Sequence, residues 1–274
     1  IWSGCDGCTQ PSRGPVTSCT LLAFQVMLMK MPEFQQHLFF DLDRTLWDHY
    51  AANEQTMALL QSRYVEVLGG RDLASISREF RHINDHLWTV IQDKGLRVSY
   101  VKKRRMLHWL QSIELSLSGR EMNQLSSELE TLYTATMPYQ NCPFPHVLST
   151  LEALRAVGHT LHIITNGTLE AQSKKLETMG IQGYFDGITT SDQCKAYKPR
   201  RAIFAHALNR SNVRAEDAWM IGDSWERDIL GAQAIGMRTA WFNPNHQSKP
   251  KTDPQPDIEF HDWKAFHLSL PSKT

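Results

Sequence analysis

An apolar segment that ends in closely spaced carboxylates constrains the fold of this chain more than any other feature. The run Leu38–Phe40 leads directly into Asp41, and Asp43 and Thr45 follow in the pattern Asp-x-Asp-x-Thr. This pattern predicts a buried strand over 37–43 that carries two carboxylates to its C-terminal end. Carboxylates this close repel each other, so a cation or a shared proton must offset their charge.

The composition restricts the partners that this chain binds. Its 274 residues are 41% hydrophobic and 21% charged, and its formal net charge is +0. No global field therefore attracts a nucleic-acid polymer or a membrane surface, and anion binding must be local. We expect a small-molecule partner, a cytoplasmic location and a monomer or homodimer. The length allows one large domain or two modest ones.

Residues 1–34 are predicted to be an N-terminal extension outside the fold. Cys5, Cys8 and Cys19 cluster there, but no fourth ligand follows at zinc-site spacing, so we interpret them as incidental. The apolar run 20–24 is too short to span a bilayer. We therefore expect the extension to be dispensable for folding and activity.

A helical periodicity fills the segment 48–141. Apolar residues recur there in steps of three and four, which predicts four amphipathic helices that form a cap domain. Glycines near positions 69, 95 and 119 supply the breaks. The apolar positions are Met57, Leu60, Tyr64 and Val67; Ile76, Phe80, Ile83 and Leu87; Met106, Leu110, Ile113 and Leu117; and Met122, Leu125, Leu129 and Leu132.

The segments 35–47 and 142–268 are predicted to form an α/β core with a Rossmann-like parallel sheet. Strand and helix patterns alternate beyond residue 145, which indicates a parallel sheet covered by helices on both faces. The helical cap is therefore inserted after the first strand. The predicted helices are 147–157, 169–179, 201–208 and 227–235, the predicted strands are 160–165, 188–190, 218–222 and 239–242, and 243–256 is predicted to be surface loop.

Polar residues follow the predicted strands where ligands collect in an open parallel sheet. The Thr165 turn offers a hydroxyl and backbone N–H groups that suit phosphate oxygens. Taken singly, each signal has an ordinary interpretation as a turn, a solvated lysine or a helix cap. Their occurrence together, each at a strand end or helix start, favours a site. The candidates are Thr165, Asn166, Gly167, Lys198, Asp223 and Asp228.

With these motifs the sequence resembles the haloacid dehalogenase superfamily of phosphatases over residues 37–265. Asp41–Thr45 is similar to the first motif of that superfamily, Thr165 to the second, Lys198 to the third and Gly222–Asp228 to the fourth. The helical insert resembles the cap of the subclass in which the cap lies between the first strand and the second motif.

A narrower resemblance is to pyrimidine 5′-nucleotidases of the house-cleaning type. It is carried by His37–Trp47, Leu161–Gly167 and Met220–Pro244. One departure is Lys195, which stands where the family usually has glycine and which puts the local loop geometry in question. This resemblance implies a pyrimidine nucleoside 5′-monophosphate as substrate.

The superfamily resemblance implies roles that also make chemical sense. Asp41 attacks phosphorus and forms an aspartyl-phosphate, while Asp43 protonates the leaving oxygen and then activates water. Thr165 and Lys198 hold the phosphate oxygens.

The resemblance also implies Mg²⁺ as cofactor. The Asp41 and Asp223 carboxylates and the Asp43 carbonyl would hold this hard cation, and Asp228 would orient a metal-bound water or Lys198.

The cap is expected to select the substrate. Lys102 and Arg105 are candidate substrate-binding residues, although a basic run is commonly a solvated helix face. Trp88 and Trp109 fit a packed core more readily than base-stacking platforms, but together with Tyr100 they would offer flat walls to a pyrimidine.

Other functions stay open. These are a phosphatase of sugar phosphates or phosphoglycolate, a phosphomutase, and a non-enzymatic binding module. A true dehalogenase is disfavoured because it needs neither Mg²⁺ nor an acid at Asp43.

Overall fold

The computed structural model describes residues 35–248 and 254–266. The predicted extension over 1–34, with Cys5, Cys8 and Cys19, lies outside the described residues, as do 267 and 268 at the end of the predicted core. None of the helices in the described ranges combines the length and the apolar character needed to cross a bilayer.

A parallel sheet forms the centre of the described structure. The strands in these ranges are β1 His37–Phe40, β2 Thr160–Thr165, β3 Gly187–Thr190, β4 Ala218–Gly222, β5 Arg238–Phe242 and β6 Ile258–Phe260. They lie in the order β3-β2-β1-β4-β5-β6, and each neighbouring pair is parallel. The carboxyl ends of the strands therefore meet at one edge, as the sequence predicted.

Two predictions about strands were wrong in detail. The first strand ends at Phe40 and not at 43, because the chain turns at Arg44, whose φ is 68° and whose N–H donates to Trp47 O over 2.7 Å. The early turn separates the two carboxylates of the first motif. Strand β6 was not predicted, since a run of three residues carries almost no periodicity.

Helices fill most of the segment 48–141, which was predicted to form the cap. Four of them lie where long helices were expected, and two single turns, Val65–Leu68 and Ser99–Lys102, were not predicted. Val67 lies in the first of these turns, and Leu117 lies beyond the end of the third long helix, contrary to prediction. The helices are α1 His49–Arg63, α2 Val65–Leu68, α3 Leu73–Lys94, α4 Ser99–Lys102, α5 Arg105–Ser112 and α6 Gly119–Thr136.

Local sequence explains where the cap helices begin and end. The Asp48 side chain accepts hydrogen bonds from two backbone N–H groups of the first turn of α1. Ser118 and Glu121 form a capping box at the start of α6. Gly95 ends α3 with a φ of 67°, a conformation that glycine adopts without strain.

The predicted helices on the core side lie where they were expected, with one exception, and the single turn Ser191–Cys194 was not predicted. The exception is the segment predicted as a helix over 227–235, which is a π-helix over Trp225–Leu230 continued by a short α-helix. Its wide turn places the Asp228 carboxylate under the Ser224 N–H, at 3.0 Å, and such turns are frequent at functional sites. The helices are α7 Val147–Ala156, α8 Leu169–Thr178, α9 Ser191–Cys194, α10 Arg201–Ser211 and α11 Gly231–Gln233.

The central strand divides the core into two apolar layers. Leu38 and Phe40 pack into one cluster and Phe39 into the other, as the alternation of side chains along a strand requires. The first cluster continues through Trp47 into cap residues such as Trp109. The cap thus shares a continuous apolar core with the layer beneath the strand ends.

Candidate active site

Asp41 and Lys198 form the centre of the site. The Asp41 N–H donates to Ile221 O over 2.8 Å, which places the residue directly at the end of β1. The Lys198 ammonium donates to Asp41 Oδ1 over 2.6 Å and to Ile164 O over 2.9 Å, and it lies 2.7 Å from Asp228 Oδ1. Both partners of the central pair are buried, with 6% and 2% of their surface exposed.

Asn166 positions Lys198 through its backbone. The Asn166 amide accepts from the Lys198 N–H over 2.7 Å and donates to the Lys198 carbonyl over 3.2 Å. Both ends of this amide are therefore engaged by the chain itself. Asn166 therefore helps to position Lys198. Its direct contact with a substrate stays a prediction.

The departure at Lys195 has a simple structural account. Lys195 ends α9 in the left-handed conformation, with a φ of 52°. Glycine adopts this conformation without steric penalty, whereas a lysine side chain is strained there. The loop therefore takes its left-handed turn at a residue less suited to it than glycine, and Lys198 still reaches Asp41.

Three carboxylates converge beside the lysine. Oxygen atoms of Asp41, Asp223 and Asp228 lie within 4.8 Å of one another, a grouping found in the described part of the chain. Thr45 joins two of them, since its hydroxyl lies 3.3 Å from Asp41 Oδ2 and accepts from the Asp223 N–H over 3.0 Å. A β-carbon at position 222 would overlap the Asp228 carboxylate, so Gly222 makes this convergence possible.

Burial and mutual repulsion raise the pKa values of two of these carboxylates. Burial raises the pKa of Asp41 to about 7 against the opposing charge of Lys198, and Asp228 and Asp223 raise it further. Burial also raises the pKa of Asp223 to about 6, although Arg44 opposes the shift from 3.3 Å away. Clustered oxygen ligands of this kind suit a hard divalent cation such as Mg²⁺, which would offset the repulsion. The residues present therefore fit the predicted metal.

Asp43 points away from this cluster. Its Oδ1 accepts from the Lys175 ammonium over 2.5 Å, its Oδ2 accepts from Gln172 Nε2 over 2.8 Å, and His49 Nδ1 lies 3.7 Å away. Burial alone would raise the pKa of Asp43, but Lys175 and His49 hold it well below its usual range. Asp43 is therefore ionised in the free protein.

Sequence reasoning missed Lys175, Gln172 and His49. Polar residues on a predicted helix are ordinarily assigned to its solvated face. One available signal was the position of Gln172 and Lys175, three residues apart on the helix that directly follows the Thr165 turn. Residues at that spacing share a face, and this helix starts at the edge where the strands end.

The Thr165 hydroxyl accepts two hydrogen bonds and can still donate one. It accepts from Gln172 Nε2 over 2.6 Å and from the Gly167 N–H over 3.3 Å. With both acceptor positions filled, its own proton is free to donate to a phosphate oxygen. The Gly167 N–H, in contrast, is used by Thr165, so the prediction of a free backbone donor is wrong for Gly167.

A cavity of about 220 Å³ lies between these residues and the cap. Its floor contains the predicted core residues Asp41, Thr165, Lys198 and Asp223, and its wall is supplied by the cap. The cavity thus places a ligand against the nucleophile candidate and against the cap at once. The cap residues that line it include Asn84, Asp85, Trp88, Thr89, Gln92, Val98, Val101, Lys102, Arg105, Tyr133 and Thr134.

The two basic cap candidates differ in their surroundings. Lys102 is exposed at the cavity. Arg105 is buried, and it donates to both Glu130 oxygens over 2.8 and 2.7 Å and to Asn84 Oδ1 over 3.3 Å. Its guanidinium also lies 4.3 Å from the Tyr133 ring centre. The charge of Arg105 is therefore already compensated within the cap.

Only part of the predicted aromatic wall faces the cavity. Trp88 lines it, but Trp109 is fully buried in the cap core and donates to Ile76 O over 3.0 Å. Tyr100 is not among the lining residues, and the Arg104 guanidinium covers its ring at 3.8 Å. Trp109 thus belongs to the packed core, the interpretation that the sequence favoured, whereas the expectation that Tyr100 offers a wall to a base was wrong.

Comparison with known families assigns the class that this fold and site define. A sequence profile described as haloacid dehalogenase-like hydrolase matches residues 38–242. The match covers most of the chain and includes the four motifs. The chain belongs to the haloacid dehalogenase-like hydrolase family, which confirms the resemblance seen in the sequence.

Individual relatives are phosphatases and nucleotidases. The human N-acylneuraminate-9-phosphatase is 31% identical over 245 residues, which cover 86% of this chain and 92% of that protein. The pyrimidine 5′-nucleotidase YjjG of Escherichia coli is 27% identical, with coverage of 78% and 88%. Among solved structures, the putative hydrolase YfnB from Bacillus subtilis, determined with bound magnesium, superposes with a TM-score of 0.73 at 23% identity. That superposition covers 86% of this chain and 98% of YfnB.

Proposed function

We propose that this protein is a Mg²⁺-dependent phosphomonoester hydrolase that forms an aspartyl-phosphate on Asp41. The observation that carries the proposal is the Lys198 ammonium, which lies 2.6 Å from Asp41 and 2.7 Å from Asp228 at the floor of the cavity. A buried lysine there places an ammonium group beside the proposed nucleophile, where a phosphoryl oxygen would contact it, and a bound divalent cation would offset the remaining carboxylate charge. The family assignment supports the same chemistry.

In the first half-reaction the Asp41 carboxylate attacks phosphorus and the bond to the leaving oxygen breaks. Lys198 and the free proton of Thr165 hold phosphoryl oxygens, which stabilises the charge that develops on them. Asp43 gives a proton to the leaving oxygen. Because Asp43 is ionised in the free protein, it must first take that proton from water or from a singly protonated phosphate ester. The negative charge of a phosphate in the cavity raises the pKa of Asp43 and so favours this uptake.

In the second half-reaction water attacks the aspartyl-phosphate. Asp43, now a carboxylate, takes a proton from that water, and phosphate leaves as Asp41 is regenerated. The carboxylates of Asp41 and Asp223 and the carbonyl of Asp43 would hold Mg²⁺, with Asp228 behind Lys198. When bound, the ion offsets the repulsion between the Asp41 carboxylate and the phosphate.

The test of this proposal is a phosphatase assay over nucleotides, sugar phosphates and phosphoglycolate with Mg²⁺. We expect hydrolysis of at least one ester, loss of activity in EDTA and recovery when Mg²⁺ is added in excess. Full activity in EDTA would contradict the metal-dependent mechanism. Hydrolysis of none of the esters would contradict the proposal itself.

For the substrate we infer a pyrimidine nucleoside 5′-monophosphate as the first candidate. The core residues contact only a phosphoryl group, so discrimination must come from the cap. Trp88 offers one flat apolar surface at the cavity, and the pyrimidine 5′-nucleotidase YjjG is a relative over most of this chain. A larger purine would hold the cap further from the floor.

A second candidate, a phosphorylated sugar acid, is favoured by the charges and polar groups of the cavity. Four basic residues that line the cavity are paired with carboxylates, namely Arg44, Arg105, Lys175 and Lys198. Lys102 and Arg227 also line it and form no ion pair among the described residues. Two such cations suit a second anionic group on the substrate, and the relative from human acts, by its name, on an N-acylneuraminate 9-phosphate.

Matched measurements separate the two candidates. We would compare kcat/KM for dUMP and dTMP with that for N-acetylneuraminate 9-phosphate in the wild type and in Lys102→Met and Arg227→Met. A sugar-acid enzyme would lose about tenfold or more on the acid substrate in either variant, which corresponds to about 1.4 kcal/mol. A nucleotidase would prefer dUMP or dTMP in the wild type. Lys103→Met is the control, because Lys103 is exposed and does not line the cavity.

A further inference from the structure

Helix α8 turns two polar side chains inward. Gln172 is 0% exposed and Lys175 is 7% exposed, and their spacing of three residues places both on the face toward the site. Lysine is almost never buried without a partner of opposite charge. Lys174, the preceding residue, instead lies at the surface beside Glu177. The burial of Lys175 therefore reflects a particular partner and not the general character of the helix.

Both oxygens of one carboxylate are held by this helix. Lys175 donates to Asp43 Oδ1 over 2.5 Å, and Gln172 donates to Asp43 Oδ2 over 2.8 Å. The same Gln172 nitrogen lies 2.6 Å from Thr165 Oγ1, so it joins the acid–base candidate to the phosphate-binding hydroxyl. A β-carbon at position 167 would overlap the Gln172 amide, so Gly167 leaves room for this link.

The surroundings of Lys175 favour its contact with the Asp43 carboxylate. Its ammonium lies over the ring of the fully buried Trp47, 4.1 Å from the ring centre, in a cation–π contact. Asp43 is not one of the three carboxylates whose oxygen atoms lie within 4.8 Å of one another. The donors on α8 therefore hold Asp43 apart from the three converging carboxylates.

We propose that Lys175 and Gln172 are positioning residues that fix the Asp43 carboxyl group for proton transfer. The inference rests on the proposed function, because it concerns how Asp43 performs its part. In the step concerned, Asp41 forms a bond to phosphorus and the bond from phosphorus to the leaving oxygen breaks. The Asp43 proton passes to that oxygen, which leaves as an alcohol or phenol. Proton transfer requires a carboxyl oxygen within hydrogen-bond reach, so a loss of orientation slows this step.

The dependence on the leaving group separates this role from a merely structural one. We would measure kcat/KM for phenyl phosphate and 2,4-dinitrophenyl phosphate in Lys175→Met, with Lys174→Met as matched control. Phenolate is the stronger base and needs the proton, whereas dinitrophenolate leaves without it. We expect Lys175→Met to lower kcat/KM about 100-fold for phenyl phosphate and less than about threefold for the dinitrophenyl ester. Equal losses on both esters would overturn the proposal.

A double-mutant cycle tests whether Lys175 acts through Asp43. In an Asp43→Asn background, Lys175→Met should cause no further loss on phenyl phosphate, since the group that it positions no longer transfers a proton. Losses that multiply would assign Lys175 another role and overturn the proposal. Gln172→Met provides the same two measurements with a neutral side chain of similar size, in case Lys175→Met does not fold.

The wild type distinguishes failure of this inference from failure of the proposed function. If the wild type hydrolyses neither ester, the proposed function is wrong and the positioning role is wrong with it. If the wild type is active and Lys175→Met and Gln172→Met both behave like Lys174→Met, the hydrolase assignment stands and only the positioning role fails.

Discussion

The floor and the cap wall of the cavity are built in different ways. Most of the floor's functional groups lie at or just beyond the carboxyl end of a strand or at the start of a helix, and they bond to one another: Asp41 to Lys198, and Asp223 to Thr45. Many polar side chains of the cap wall bond to one another within the cap, as Arg105 does to Glu130. The floor therefore suits a single group, the phosphoryl group of the proposed substrate, whereas the wall leaves few side chains free to contact a substrate.

The largest effect should come from the floor. Asp41→Asn replaces the proposed nucleophile with a poor one and removes a proposed charged metal ligand, so kcat should fall by roughly 10⁴-fold or more. The fold should persist, because an amide in this buried place relieves carboxylate repulsion. Initial rates and circular dichroism check both points. Appreciable turnover by a well-folded variant would remove Asp41 from the mechanism and break the distinction between floor and wall.

In the cap wall, stability should respond more than chemistry. Arg105→Met leaves Glu130 nearly buried without its partner, which should lower the free energy of unfolding by about 3 kcal/mol. Lys102→Met, at an exposed position of the same wall, should leave stability unchanged. Chemical denaturation of both variants gives the comparison. If Arg105→Met instead keeps its stability and raises KM, Arg105 contacts substrate as the sequence predicted, and the wall is less self-contained than its contacts indicate.

The floor should also show a pH-dependent link between metal and stability. The pKa values of Asp41 and Asp223 are raised in the folded protein, to about 7 and about 6, so the folded state binds more protons than the unfolded state. Stability without metal therefore falls as pH rises through this range. Mg²⁺ competes with those protons for the carboxylates. The rise in Tm that added Mg²⁺ causes should therefore become larger between about pH 5 and about pH 8.

Scanning fluorimetry in EDTA and in Mg²⁺ measures this increment, and Asp223→Asn should reduce it. An increment that is the same at both ends of the pH range would contradict the assignment of these carboxylates as metal ligands. Arg105→Met, which changes the wall alone, should keep the pH dependence of the wild type even if its Tm is lower throughout.

The smallest effect should come from outside both regions. A variant that starts at Met31 should keep the Tm and the kcat/KM of the full chain, because residues 1–30 contain none of the predicted strands or motifs. Matched measurements on both proteins provide the check. A clear loss of either quantity would show that the extension supports the floor or the wall, and the prediction that it lies outside the fold would be wrong.

Much of the fold followed from periodicity and turn residues. Strands β2 and β4 were predicted residue for residue, and the long cap helices appeared where apolar spacing and breaks indicated. The bounds failed where local geometry departs from regular repeats. The π-helix at Trp225–Leu230 is one case, because a wider turn leaves no distinct mark in apolar spacing. The early end of β1 is another, since the positive φ of Arg44 depends on contacts with Trp47.

The amino-acid sequence was enough to predict which residues form the floor, whereas the use of the side chains around it became clear from the packing of the helices. Parallel strands bring their carboxyl ends to one edge, so polar residues after successive strands converge by topology. Whether a helix side chain such as Lys175 faces water or Asp43 depends on how that helix packs, which periodicity does not specify. The same holds for Arg105 and Trp109, whose side-chain contacts depend on partners distant in the sequence, Glu130 and Ile76.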